Sequence, residues 1–133
     1  MFRFSDILAP RTTVHAHCDL PCGVYDPEQA RIEAESVYKI IEKMGANSDP
    51  TFTARAIGIK EQRAELVKHH LDVLWTDYFK APHFEKYPDL HNLFNTTIKQ
   101  ASACKQSNDP ADGQKLLDGI AAIDAIFWET KKA

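Results

Sequence analysis

Along most of this chain, apolar residues recur at spacings of three and four, the period of a helix face rather than of a strand. Ala30, Ala34, Val37, Ile41 and Met44 form one such stripe. Ahead of it, Asp26-Pro27-Glu28 joins a capping side chain to a proline at the first helical position, where the missing N–H leaves nothing unpaired. Gly45 and Asn47 end that helix. A second helix opens near Asp49-Pro50 and carries Ala56, Ile59, Leu66, Val73 and Leu74, running on through Trp75 and Tyr78 to stop before Pro82. A third opens around Pro88, with Leu90, Leu93, Phe94, Ile98 and Ala101 on its apolar face. The fourth starts at Asp109-Pro110, again a cap followed by proline, and aligns Leu116, Ile120, Ile123 and Phe127. No segment alternates as a strand does, and no repeat or long linker interrupts the pattern. Four amphipathic helices with short links predict an all-α chain, an antiparallel four-helix bundle over residues 26–133.

Composition narrows the function classes. At 133 residues, 44% hydrophobic and 26% charged, the chain reads as one globular domain. A net charge of -3 with no basic stripe removes the electrostatic footprint of a nucleic-acid binder. No apolar run approaches the roughly 20 residues of a membrane span. Three cysteines, an odd number, do not make a secreted disulfide scaffold, so the expected setting is a reducing compartment, the cytoplasm. Residues 1–16 stand apart from the helical pattern. Their only apolar stretch, Ile7-Leu8-Ala9 before Pro10, is too short for a secretory signal. Composition leaves two readings open there, a frayed terminus or a short propeptide ending at Ala16.

The candidate chemistry lies in His17-Cys18-Asp19-Leu20-Pro21-Cys22-Gly23-Val24-Tyr25, ahead of the first helix. Two cysteines spaced as Cys18 and Cys22 are often just small buried hydrophobes. These two fall outside the helices, in a segment turned by Pro21 and Gly23, where irregular backbone lets both thiolates face one centre. His17 adds an imidazole and, if the chain is cut after Ala16, a free α-amine. Two thiolates, an amine and the Cys18 backbone amide in a plane suit a d⁸ ion such as Ni(II), with the imidazole axial. A tetrahedral zinc site completed by His15 in the uncut chain stays open as an alternative.

The run HCDLPCGVY resembles the nickel hook of the nickel-containing superoxide dismutase family. The resemblance continues through DPEQARIEAESV, IKEQRAELVKHHLDVLWTDYFK, PHFEKYPDLH and FWETKKA, covering residues 17–133. It implies a propeptide over 1–16, removed by a processing protease, and a mature domain over 17–133 made of a hook (17–25) and the bundle (26–133). It further implies one nickel ion per subunit, held by Cys18, Cys22 and His17 and delivered by a nickel-insertion factor. The activity implied is disproportionation of superoxide to dioxygen and hydrogen peroxide on a Ni(II)/Ni(III) couple, in a homohexamer. By the same resemblance Glu33 and Arg63 orient the axial imidazole, Tyr25 and Tyr78 guard the pocket, and Lys80 steers the anion.

Four of these five residues also have an ordinary reading. Glu33 reads equally as a surface carboxylate, Tyr25 and Tyr78 as half-buried packing residues, and Lys80 as a solvated lysine. Arg63 falls on the apolar stripe predicted for the second helix, where a guanidinium needs an anionic partner. His69, His70, His83 and His91 lack the Glu-x-x-His pairs of a di-iron bundle and read as packing or surface residues, while Cys104 reads as a spectator thiol. Two other functions fit the same hook: a bundle that binds metal without turnover, and a reversible Cys18–Cys22 thiol switch.

Overall fold

The Asp26 carboxylate accepts the Glu28 backbone N–H at 2.9 Å, and the buried Pro27, at φ -66°, takes the cap position itself, so the first helix opens one residue later than the cap-and-proline pattern places it. A computed structural model describes residues 23–133 of the chain. Its helices are α1 (Glu28–Ala46), α2 (Pro50–Val73), α3 (Ala81–Lys86), α4 (Leu90–Gln106) and α5 (Pro110–Lys132). The same device starts two more of them: Asp49 accepts from the Phe52 N–H and Asp109 from the Ala111 N–H, each at 2.9 Å. No strand occurs among the described residues, and no helix there is long and apolar enough to cross a membrane.

α1 packs on α2 and α5, and α4 packs on the same two, which closes the four long helices into a bundle around one core. That core runs from Ala30, Val37 and Ile41 through Val67, Leu71 and Phe94 to Ile120, Ile123 and Phe127. Two glycines on α5 set its closest approaches. A Cβ at Gly113 would meet the Tyr38 ring of α1 at 2.9 Å, and one at Gly119 would meet the Thr97 hydroxyl of α4 at 2.6 Å.

The bundle matches the sequence pattern, and three details depart from it. On α2 the buried face is Ala56, Lys60, Ala64, Val67 and Leu71, while Ile59, expected inside, is 42% exposed. The cause is Lys60. Its stem fills a core position and its ammonium donates to the Ser107 carbonyl at 2.5 Å and Asn108 Oδ1 at 2.8 Å, so a residue that reads as polar occupies the true stripe. On α4 Thr97 and Cys104 are buried, whereas Leu93 and Ile98 are half-buried. Finally, the second helix does not run unbroken to Pro82. It widens into a π turn, Leu74–Tyr78, and the chain then forms the short α3, in which Pro82 occupies the first turn.

Candidate metal centre

The described chain begins where the cysteine-bearing segment ends. Gly23 has φ +72°, a left-handed conformation that a side chain would strain. From there the backbone enters α1 past Tyr25, whose ring packs on Tyr78 with centroids 5.6 Å apart and planes inclined 56°. Tyr78 is delivered by the π turn. The Phe79 N–H reaches back five residues to the Leu74 carbonyl at 3.0 Å, and the extra residue rotates Tyr78 away from its α-helical direction. Such turns recur at functional sites. The Tyr78 ring then lies 4.4 Å from Phe127, 4.9 Å from Phe79 and, stacked, 5.8 Å from His83.

The C-terminal turn of α5 closes over the same spot. Tyr78 Oη and Thr130 Oγ1 are 2.6 Å apart, Lys131 Nζ sits 5.0 Å from the Tyr78 ring centroid, and that ammonium donates to the Gly23 carbonyl at 3.5 Å. Neither Thr130 nor Lys131 is singled out by any local sequence pattern. The Lys131–Gly23 contact joins positions 108 residues apart, and only the antiparallel return of α5 brings them together.

Glu33 and Arg63 are brought together from α1 and α2. Arg63 Nη1 donates to both carboxylate oxygens of Glu33, at 3.1 and 3.3 Å, and the carboxylate side chain is only 17% exposed. The arginine therefore does have the anionic partner its position calls for, although its face of α2 is half-exposed rather than core. Lys80 is exposed at the start of α3, where its backbone N–H donates to His83 Nδ1 at 3.0 Å. His17, Cys18 and Cys22, together with His15, lie outside the described residues.

No group of three or more His, Cys, Asp or Glu side chains is placed to hold a metal among the described residues. The bundle histidines serve packing: His83 stacks on Tyr78, and His91 accepts the Trp75 indole N–H at 2.9 Å while stacking on Phe84 at 3.7 Å. Cys104 is buried in the core, and burial pushes its thiol up to about 11.

The sequence model of the nickel-containing superoxide dismutases matches residues 12–131. This chain belongs to that family. Nickel superoxide dismutases of Streptomyces coelicolor and Streptomyces seoulensis are each 70% identical to it over 129 residues, which is 97% of this chain and 98% of theirs. A native nickel superoxide dismutase structure superposes with a TM-score of 0.86 at 72% identity, covering 88% of this chain and all of the solved one. An apo structure of a nickel superoxide dismutase gives 0.82 at 70% identity over 84% of this chain. Family membership and the all-α bundle are thus as the HCDLPCGVY resemblance implied. The donor types in the sequence suit the family's metal, since the Cys18 and Cys22 thiols and the His17 imidazole are sulfur and nitrogen groups of the kind nickel takes.

Proposed function

We propose that this chain is the precursor of a nickel superoxide dismutase, cut after Ala16, and that His17, Cys18 and Cys22 then hold one nickel ion per subunit. The observation that carries the reading is the order of groups in HCDLPCGVY, one cut away from a planar nitrogen–sulfur donor set, leading directly into Tyr25 against Tyr78. A difference in coverage supports the cut. Four solved family chains, matched over their whole length, cover 88% of this chain and leave about 16 of its 133 residues unmatched, the number that precedes His17.

The bound nickel supplies one-electron exchange between Ni(II) and Ni(III), so that two superoxide ions and two protons become dioxygen and hydrogen peroxide. The thiolates of Cys18 and Cys22 and the Cys18 amidate donate charge that makes the higher oxidation state accessible. His17 would contribute its amine and its imidazole. Glu33, fixed by Arg63, is the carboxylate that orients this imidazole, as carboxylates do for other metal-bound histidines. Tyr25 and Tyr78 narrow the approach to small ligands, and Lys80 adds a modest, salt-sensitive attraction for the anion.

Reduced thiolates call for the cytoplasm, a free His17 amine for a processing protease, and loading of the ion for a nickel-insertion factor. Assembly as a homohexamer has support in exposed apolar surface: Ile32, Ile57, Ile59 and Trp128 are each more than 40% exposed, and an open groove of about 470 Å³ lies beside Ile40, Phe52 and Ile59.

The decisive comparison is between full-length protein and protein cut after Ala16, each loaded with nickel or zinc. In the full-length chain Ala16 acylates the nitrogen that must bind. One nickel per chain and nickel-dependent dismutation are therefore expected only after cutting, with no activity on zinc. Equal activity before and after the cut would overturn the reading.

A further inference from the structure

The hydroxyl of Thr130 has two partners. It lies 2.6 Å from the Phe127 carbonyl oxygen of its own helix and 2.6 Å from Tyr78 Oη. A carbonyl oxygen cannot donate, so the single hydrogen of the threonine hydroxyl is spent on Phe127. Only its lone pairs are left for Tyr78, and the phenol must be the donor of that bond. The polarity of the Tyr78 hydroxyl is thereby settled by a backbone carbonyl one helix away.

We propose that Thr130 is a positioning residue for the metal centre: it captures the phenolic hydrogen of Tyr78, leaving the phenolic oxygen an acceptor towards whatever approaches from the Tyr25 side. The inference rests on the proposed function for the claim that Tyr78 borders the substrate pocket; the hydrogen-bond polarity itself does not depend on it. Two further contacts of the same helical turn hold the arrangement. Lys131 Nζ covers the Tyr78 ring at 5.0 Å and the Phe127 ring at 5.4 Å, while donating to the Gly23 carbonyl at 3.5 Å. Ring packing against Phe127 and His83 holds the phenolic oxygen in place, so that only its hydrogen is free to reorient.

The chemical consequence concerns anions. A phenol free to donate holds superoxide, or a peroxide product, by a hydrogen bond to its negative oxygen. A phenol whose hydrogen is already committed offers no such hold and lets a small anion leave. Thr130 thus keeps Tyr78 from trapping substrate or product beside the ion. Breaking the capture frees a donor worth about five- to tenfold in anion binding, the scale of one ordinary hydrogen bond.

The test uses cut, nickel-loaded protein carrying Thr130→Val, which keeps the shape and removes the acceptor, and Thr130→Ser, which keeps it. The tyrosine Raman doublet, read as wild type minus Tyr78→Phe in each background, separates donating from accepting phenols. A strong-donor signature is expected in wild type and in Thr130→Ser, and its loss in Thr130→Val. Inhibition by azide should tighten about five- to tenfold in Thr130→Val, with KM and kcat falling together while nickel content and helical signal stay constant. An unchanged doublet in Thr130→Val, or unchanged azide inhibition in active protein, overturns the proposal. Absence of any nickel-dependent activity in wild type overturns the proposed function instead, and the Raman comparison still decides the role of Thr130.

Discussion

Replacing Gly119 by alanine places one methyl group where α4 and α5 come closest. Built on the observed backbone, that Cβ stands 2.6 Å from Thr97 Oγ1, 3.0 Å from its Cγ2 and 3.2 Å from its Cβ, where ordinary contact begins near 3.4 Å. Thr97 cannot yield by rotation. It is 3% exposed, its hydroxyl donates to the Leu93 carbonyl at 2.7 Å, and a β-branched residue in a helix has few rotamers. The helices must therefore separate by some tenths of an ångström, loosening contacts among Phe94, Ala101, Leu116 and Ile120. Overpacking of this kind costs about 1–3 kcal/mol, and alanine returns about 1 kcal/mol of helix propensity over glycine. A net loss of about 1 kcal/mol is expected. In a Thr97→Ala background the obstructing atoms are gone and only the propensity gain remains, so the same substitution should stabilise by up to about 1 kcal/mol. Urea unfolding of the four proteins of this cycle, at one fixed protomer concentration, gives a coupling of about 2 kcal/mol. The same sign for Gly119→Ala in both backgrounds would refute the close-contact reasoning.

Glu33→Gln should retain the fold and lower dismutation or nickel retention about ten- to a hundredfold, measured as activity per bound nickel together with metal content; no change in either would leave the carboxylate without its assigned task. Because Arg63 is 37% exposed, Arg63→Met should cost less than about 1 kcal/mol in unfolding free energy, so a large activity loss there could not be ascribed to instability. Stripping nickel should abolish activity yet leave the far-ultraviolet circular dichroism intact, since the core side chains among the described residues lie between residues 30 and 127; extensive helix loss would contradict that. Cys104 should react with a thiol reagent at pH 8 at least about a hundredfold more slowly in folded than in urea-unfolded protein, its thiol being pushed up to about 11 by burial. The sign for stability follows. Between pH 9 and about 11 the folded chain keeps a proton that the unfolded chain loses, so Cys104 lowers stability as pH rises. Lys60, whose burial depresses its ammonium, acts oppositely below its usual 10.5, and Cys104→Ala should make the alkaline limb of the unfolding curve slope upward more steeply.

What could be read in advance divides along physical lines. Helix starts were legible because each depends on two adjacent residues: Asp49-Pro50 and Asp109-Pro110 cap helices as expected, while at Asp26-Pro27 the proline takes the cap position. Faces were legible where the core residues are themselves apolar, as with Leu116, Ile120, Ile123 and Phe127 on α5. On α2 the pattern failed, because a lysine stem does the work of a hydrophobe only when a carbonyl and an amide oxygen wait for its ammonium in the α4–α5 turn. That partner is set by tertiary structure and has no trace in the local period. The π turn escaped for a similar reason: Leu74, Trp75 and Tyr78 continue an α-helical stripe, and the extra residue shows only in the Phe79-to-Leu74 hydrogen bond.

The centre itself was legible to different depths on its two sides. Its proposed ligand side falls within nine consecutive residues, of which His17 to Cys22 lie outside the described residues, and a loop that wraps an ion takes its donors from neighbours in the chain. The pair of Glu33 and Arg63 was half legible: an arginine among apolar residues demands a partner, but only the α1–α2 packing says which carboxylate answers. The flank built from Tyr78, Thr130 and Lys131 has no such local demand. A threonine and a lysine near a helix end are ordinary surface residues until α5 returns alongside the entry to α1. There Lys131 meets a carbonyl at Gly23 and Thr130 meets a phenol 52 positions away. The fold thus places beside the entry to α1 a wall of packed rings, with Tyr78 hydrogen-bonded to Thr130 and held against Phe127.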